Sequence, residues 1–263
     1  MDSAASEKSI IALDHWLQTP VGAYVRSWEQ SCLDELTADI FGYNAVQIGL
    51  PQIDLLAASR MPNKWQAATR TSSASELELS VTGKQIAVAL DFAELPFASS
   101  SLDLVVLPHV LEFAAEPHQV LREVERVLIP EGQLIIAGFN PASLWGARQL
   151  VGAALHSHYL PVAGEFISMP RMKDWLKLLN LGVSRSHFGC YAPAFRSTKW
   201  LGRFAFMERT GQKYWPYLGA VYVVHAIKRV KGMRIIGPAW TKTKAKAPAT
   251  VPAANSTQKN HHR

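Results

Sequence analysis

The chain is expected to be an α/β protein with a mostly parallel sheet covered by helices on both faces. Two patterns predict this. Residues 45–49, 86–90, 102–107 and 133–138 are short runs rich in Val, Ile and Leu, the composition of strands buried on both sides. Between them, apolar residues recur at helical spacing. A third observation sets the size: 263 residues, 48% of them apolar, can bury the core of one large domain.

The elements follow in order. Thr19 is a helix N-cap with Pro20 at the first helical position. An apolar stripe through Val21, Val25, Trp28, Cys32, Leu36 and Ile40 runs on to a stop at Gly42. The first strand, 45–48, ends in Gly49, and residues 65–70 are the candidate second strand. Pro117 opens a helix with Val120, Leu121, Val124 and Leu128 on one face, ended by the turn Pro130-Glu131-Gly132. Ser168 caps a helix over 170–180 with Met172, Trp175, Leu176 and Leu179 inward, and residues 220–227 form the last strand. The stretch 185–217 has no clean period and reads as mixed helix and loop.

Charge is unevenly spread. Residues 1–141 hold 8 Lys/Arg against 18 Asp/Glu, a net of −10; 142–227 hold 10 against 3, or +7; 228–263 hold 9 against none, or +9. The overall +6 is thus a property of the carboxyl-terminal part, and an acidic first half argues against a nucleic-acid channel. The tail, rich in Lys, Ala, Pro, Ser and Thr, should stay disordered, because it has too little apolar surface to offset its chain entropy. Cys32 and Cys190 form no Cys-x-x-Cys pair, which excludes a disulfide scaffold and suits a reducing compartment. No apolar run reaches the ~18 residues of a membrane span. The start, Met1 to Glu7, lacks the basic and apolar stretches of a signal peptide, so a cytoplasmic protein is expected.

In open α/β sheets, ligands bind at the carboxyl ends of the strands. Here those ends carry Gly49-Leu50-Pro51, Leu90-Asp91-Phe92, Leu107-Pro108-His109 and Gly138-Phe139-Asn140. Gly49 lets backbone approach a ligand, and Asp91 is the one acidic residue among them, able to accept from a ribose or an amino group.

The passage Asp91-Phe92-Ala93-Glu94-Leu95-Pro96-Phe97 then Ser101-Leu102-Asp103-Leu104-Val105-Val106 resembles the class I S-adenosylmethionine-dependent methyltransferases. The helix Val120-Leu121-Arg122-Glu123-Val124-Glu125-Arg126-Val127-Leu128 and the turn Pro130-Glu131-Gly132-Gln133-Leu134 continue the match. It looks like the type 11 methyltransferase domain, the branch of ubiquinone- and biotin-pathway enzymes, most clearly over residues 90–139. The resemblance implies a Rossmann-like sheet of seven strands with the last antiparallel. It implies a methyltransferase-like domain over 44–230, preceded by a helical segment over 1–43 that packs on it and followed by the basic tail, 231–263. It also implies S-adenosylmethionine as cofactor and a small-molecule methyl acceptor. Gly49 and Leu50 then belong to the cofactor loop, Asp91 lies beside the adenine with Phe92 flanking it, and Pro108 and His109 face the methionine end and the acceptor.

Two departures stand out. The family's Gly-x-Gly-x-Gly loop reads Gly49-Leu50-Pro51-Gln52-Ile53, and Pro51 removes a donor. The second strand, Trp65 to Arg70, lacks the acidic residue that holds ribose hydroxyls. Methyl transfer needs chiefly aligned reactants. Where a base is needed, His109 is the expected one, since imidazole titrates near neutrality. No metal site is expected: His156 and His158 have no third ligand in view. An aromatic block, Tyr191, Phe195, Trp200, Phe204, Phe206, Tyr214, Trp215 and Tyr217, is interleaved with Arg196, Lys199, Arg203, Arg209 and Lys213. It is either core with a basic surface or a lid over a flat or anionic acceptor. The alternatives to an enzyme acting on a small acceptor are a catalytically decayed binding or regulatory module and, less favoured, an RNA-directed methyltransferase.

Overall fold

The computed structural model describes residues 13, 15–69, 88–90, 92, 94–154, 160, 165–193, 202–204 and 206–229. Asp91, His156, His158, Phe195, Arg196, Lys199, Trp200 and the tail 231–263 lie outside them. Helix α1 (Pro20–Ala38) starts as its sequence dictates: Thr19 Oγ1 accepts from the Gly22 N–H at 3.2 Å and Pro20 occupies the first turn. It ends at Ala38, short of Gly42. Gly42 is needed for a different reason: a methyl group there would lie 2.5 Å from Asp103 Cβ. The close approach lets Asp103 Oδ2 accept from the Tyr43 and Asn44 N–H groups at 3.1 and 2.9 Å, fixing the entry to strand β1 (Asn44–Ile48).

The remaining elements are β2 (Asn63–Thr69), β3 (Val88–Leu90), β4 (Leu102–Pro108), α2 (Pro117–Val127), β5 (Leu128–Phe139), α3 (Leu144–Ala154), α4 (Met169–Leu178), β6 (Leu181–Gly189), α5 (Phe206–Tyr214) and β7 (Val221–Lys228). Among the described residues the sheet has seven strands in the order β3-β2-β1-β4-β5-β7-β6. Strands β1 to β5 pair in parallel, and β7 runs antiparallel to both β5 and β6. The α/β class and the antiparallel last strand are as expected. Because β7 reverses direction, β6 regains that of β5, so the carboxyl ends of β1 to β6 share one edge.

Two expectations need correcting. The turn at 130–132 does not separate helix from strand, since β5 already begins at Leu128. Glu131, at φ +62°, and a register shift opposite Leu102–Leu104 absorb the irregularity inside the ladder. Residues 185–189, placed in mixed helix and loop, are strand. The β6 sequence hides this because, as an edge strand, it leaves several successive residues open to solvent, and the apolar alternation of a strand is lost.

Both sheet faces are covered. Leu104, Val106, Ile135 and Ala137 point to the α1 side and pack with Leu17, Val21, Val25 and Leu33. Val105, Leu107, Leu134 and Ile136 point the other way, onto Val120, Leu121, Val124, Met172 and Leu176 of α2 and α4. Each such side chain taken fully out of water contributes ~1.5–3 kcal/mol.

Candidate functional site

The carboxyl edge is marked by backbone that turns sharply. Gly49, after β1, has φ +88° and Leu50 follows at +45°; His109, after β4, is at +53°, and Cys190, after β6, at +61°. Left-handed conformations are uncommon for residues other than glycine and collect at ligand-facing positions. A methyl group on Gly49 would lie 2.8 Å from Val110 Cγ2 and 3.6 Å from the Pro108 carbonyl, so the β1 and β4 ends meet there, backbone to side chain.

The loop after β1 is organised by a residue the sequence reading passed over. The buried amide of Gln47 donates to the carbonyls of Gly49, Leu50 and Ile53 at 3.2, 3.0 and 2.8 Å, and its Oε1 accepts from the Leu55 N–H at 2.9 Å. These bonds occupy three of the loop's carbonyls and one of its N–H groups. The Leu50 side chain is buried in the α1-side core, so only its backbone remains to approach a ligand. Phe92, after β3, is buried in one apolar cluster with Ile48 and Val110. Its neighbour Asp91 lies outside the described residues.

His109 is 1% exposed and sits between two carboxylates. Its Nδ1 is 2.9 Å from Glu112 Oε2 and its Nε2 is 2.6 Å from Glu29 Oε1. Burial pushes the imidazolium pKa down, but Glu29 and Glu112 outweigh it and hold the group up at about 10. The ring is therefore charged at neutral pH and donates from both nitrogens. The general-base role expected for His109 finds no support in this geometry, because a base must present a free lone pair to its substrate. What the histidine does instead is tie α1 to the end of β4. Glu112 also accepts, through Oε1, from the Phe139 N–H at the end of β5.

Glu29 and Glu112 were missed by the sequence reading. Glu112 follows His109 by three residues, and Glu29 falls between Val25 and Leu33 in the buried stripe of α1. A carboxylate in a core position of a helix was the available signal. The imidazole lies between the two carboxyl groups, and among the described residues Glu29 Oε2 is buried without a hydrogen-bond partner. An unsatisfied buried carboxylate oxygen is costly and calls for an explanation. A cationic ligand group would supply one. That one oxygen would suit a single positive group of a sulfonium cofactor, such as its amino group. On shape, the described residues offer the Gly49-Leu50 backbone and the apolar wall at Phe92 and Val110.

Farther along the edge, Glu208 of α5 accepts through Oε1 from the Tyr24 hydroxyl and, at 2.9 Å, from the Cys190 N–H, docking α5 on α1. The aromatic block divides: Tyr191 is buried, its hydroxyl donating to the Pro216 carbonyl at 2.8 Å, whereas Phe206, Tyr214, Trp215 and Tyr217 are exposed. Among the described residues no group of three His, Cys, Asp or Glu side chains is placed to hold a metal ion, and no helix is long and apolar enough to cross a membrane.

A family model described as a methyltransferase domain matches residues 57–136. YafS of Escherichia coli, a protein of unassigned function, is 30% identical over 190 residues, 71% of this chain and 74% of its own length. Demethylmenaquinone methyltransferase of Listeria welshimeri is 34% identical over 85 residues, 32% of this chain and 36% of its own length. Among solved structures, a SAM-dependent methyltransferase from Thermotoga maritima superposes with a TM-score of 0.57 at 15% identity, covering 80% of this chain and 91% of that one, a likeness of fold. Parallel strands with one antiparallel reversal and a left-handed turn after β1 are the fold that goes with this sequence match. The chain is a relative of YafS over most of its length, and its residues 57–136 belong to the methyltransferase-domain family.

Proposed function

We propose that this chain transfers a methyl group from S-adenosylmethionine to a small-molecule acceptor at the carboxyl edge of the sheet. The observation that carries the reading is the buried Glu29–His109–Glu112 cluster with its unpartnered Glu29 oxygen, a seat for positive charge at the end of β4. When bound, the cofactor supplies a methyl already activated on a sulfonium, so the protein's task is alignment. The Gly49-Leu50 backbone and the Pro108–Val110 turn would hold its amino-acid end. Phe92 would give the adenine an apolar wall, and Asp91 would accept from its polar groups. His109 is a positioning residue: it keeps protons on Nδ1 and Nε2, fixes both carboxylates and excludes water from between α1 and β4. An acceptor that loses a proton must find its base elsewhere or release the proton to water.

A second reading, a decayed methyltransferase fold that binds a partner, is favoured by one observation: the loop after β1 has Gly49 as its single glycine, and Pro51 removes a donor from it. Calorimetric titration with S-adenosylmethionine and S-adenosylhomocysteine separates the two. Binding that Asp91→Ala weakens by about 1–3 kcal/mol supports the enzyme. No heat and no thermal shift at millimolar ligand supports the decayed module.

A further inference from the structure

The exposed aromatic side chains at the carboxyl edge have no partner role in the chemistry proposed above, and their placement gives them one. Asn140, immediately after β5, ties two segments together. Its Nδ2 donates to the carbonyls of Tyr217 and Gly219 at 2.8 and 2.9 Å, while its own carbonyl accepts from the Ser143 hydroxyl at 2.7 Å, at the start of α3. Both segments project apolar side chains into solvent: Leu144 on one side, and Tyr214, Trp215, Tyr217 and Leu218 on the other, with Phe206 at the start of α5. Tyr217 is 67% and Trp215 51% exposed, and the rings of Tyr214 and Trp215 lie 6.2 Å apart.

The outward charges of α5 have one sign. Helix α5 carries a single acid, Glu208, and it turns inward to Tyr24 and Cys190. The helix's exposed charges are Arg209 and Lys213, four residues apart on one face, and Lys213 Nζ lies 5.5 Å over the Tyr214 ring. Residues 142–227 carry +7 as a whole, against −10 for 1–141. Trp and Tyr flanked by Lys and Arg are the side chains that settle at the headgroup level of a bilayer, the ring body in the acyl boundary and the cation among anionic headgroups.

We propose that this aromatic and basic rim docks the chain on an anionic lipid surface, so that the carboxyl edge of the sheet opens toward a methyl acceptor dissolved in the membrane. The lipid-borne acceptor rests on the methyltransferase reading; the docking surface does not, and its test is read without cofactor. A uniform apolar protein partner would not explain why the outward charges of α5 are all positive, and a nucleic acid would not call for Leu144, Phe206 and Leu218.

The full chain is floated on vesicles of phosphatidylcholine alone and of phosphatidylcholine with about one-third phosphatidylglycerol. The expected result is retention on the anionic vesicles only, reduced about tenfold in Trp215→Ser/Leu218→Ser and reduced likewise in Arg209→Gln/Lys213→Gln. Both double variants change exposed side chains, and unchanged circular dichroism melting shows that they fold. Equal flotation of the aromatic variant, no flotation of the wild type, or a dimer in the ultracentrifuge that Trp215→Ser/Leu218→Ser converts to monomer would each overturn the proposal. S-adenosylmethionine titration in the absence of lipid reads the methyltransferase site separately, so failure of one reading leaves the other visible.

Discussion

Glu29 and His109 are 80 residues apart in the chain, and their Oε1 and Nε2 atoms are 2.6 Å apart in the fold. The contact joins the helix that precedes the sheet to the end of its fourth strand, inside the region where the sequence resemblance places the transferred methyl. Charged groups so deeply buried are retained only when each is paired, and here one carboxylate oxygen is left over.

The pairing sets a pH dependence. The folded pKa of His109, about 10, lies above the ordinary imidazole value of about 6.5, so the native state holds the proton more tightly than the unfolded chain. Its contribution to stability is complete below about pH 6.5 and is lost as pH rises toward 10. Glu29→Gln removes one of the two charges that raise the value. The variant should be less stable at pH 7 by about 1–3 kcal/mol, and its stability should fall less between pH 7 and 10. Urea midpoints at several pH values check this, and parallel wild-type and variant profiles would exclude the charged cluster.

Gln47→Leu keeps the size of the side chain but leaves three carbonyls and one N–H of the β1 loop without their partner. A loss of about 2–4 kcal/mol is expected by unfolding, since buried unmade bonds cost ~1–3 kcal/mol each and some are recovered by water. S-adenosylmethionine affinity should fall with it. Gln47→Glu should be worse, because a carboxylate would face three carbonyl oxygens.

At Gly49 two penalties can be separated. Gly49→Ala meets an unfavourable φ, costing roughly 1 kcal/mol, and a clash with Val110 Cγ2. Val110→Ala should rescue only the clash. In a double-mutant cycle the pair should therefore couple, with a residual loss that Val110→Ala does not repair; full rescue would show that the left-handed turn is not required.

Tyr24→Phe removes the hydroxyl that Glu208 accepts from, leaving a buried carboxylate held at the Cys190 N–H. A destabilisation of about 1–3 kcal/mol is expected, together with faster amide exchange in α5 than elsewhere. Uniform exchange across the chain would mean that this contact does not hold α5 down.

The sheet edge was legible because its signals are local. Buried parallel strands are continuous apolar runs, so β1, β3, β4 and β5 could be found, and Gly49, Phe92, Pro108 and His109 follow directly from where those runs stop. Strand β6 and helices α3 and α5 were not legible. An edge strand shows no apolar alternation, α3 leaves Leu144, Leu150 and Val151 exposed, and α5 is held by Glu208, by Met207 and by Gly211 against the Tyr191 ring, with no apolar stripe along it. Short-range pattern carries no record of such contacts.

What the sequence alone determined is the α/β class, the start of α1 at Thr19 and Pro20, and the residues that stand at the strand ends, since each depends on neighbours within a few positions. What only the tertiary structure decided is the state of those residues. An isolated imidazole titrates near neutrality, and His109 is a fixed cation here because folding brings Glu29 and Glu112 to its two nitrogens while excluding the water that would otherwise screen them.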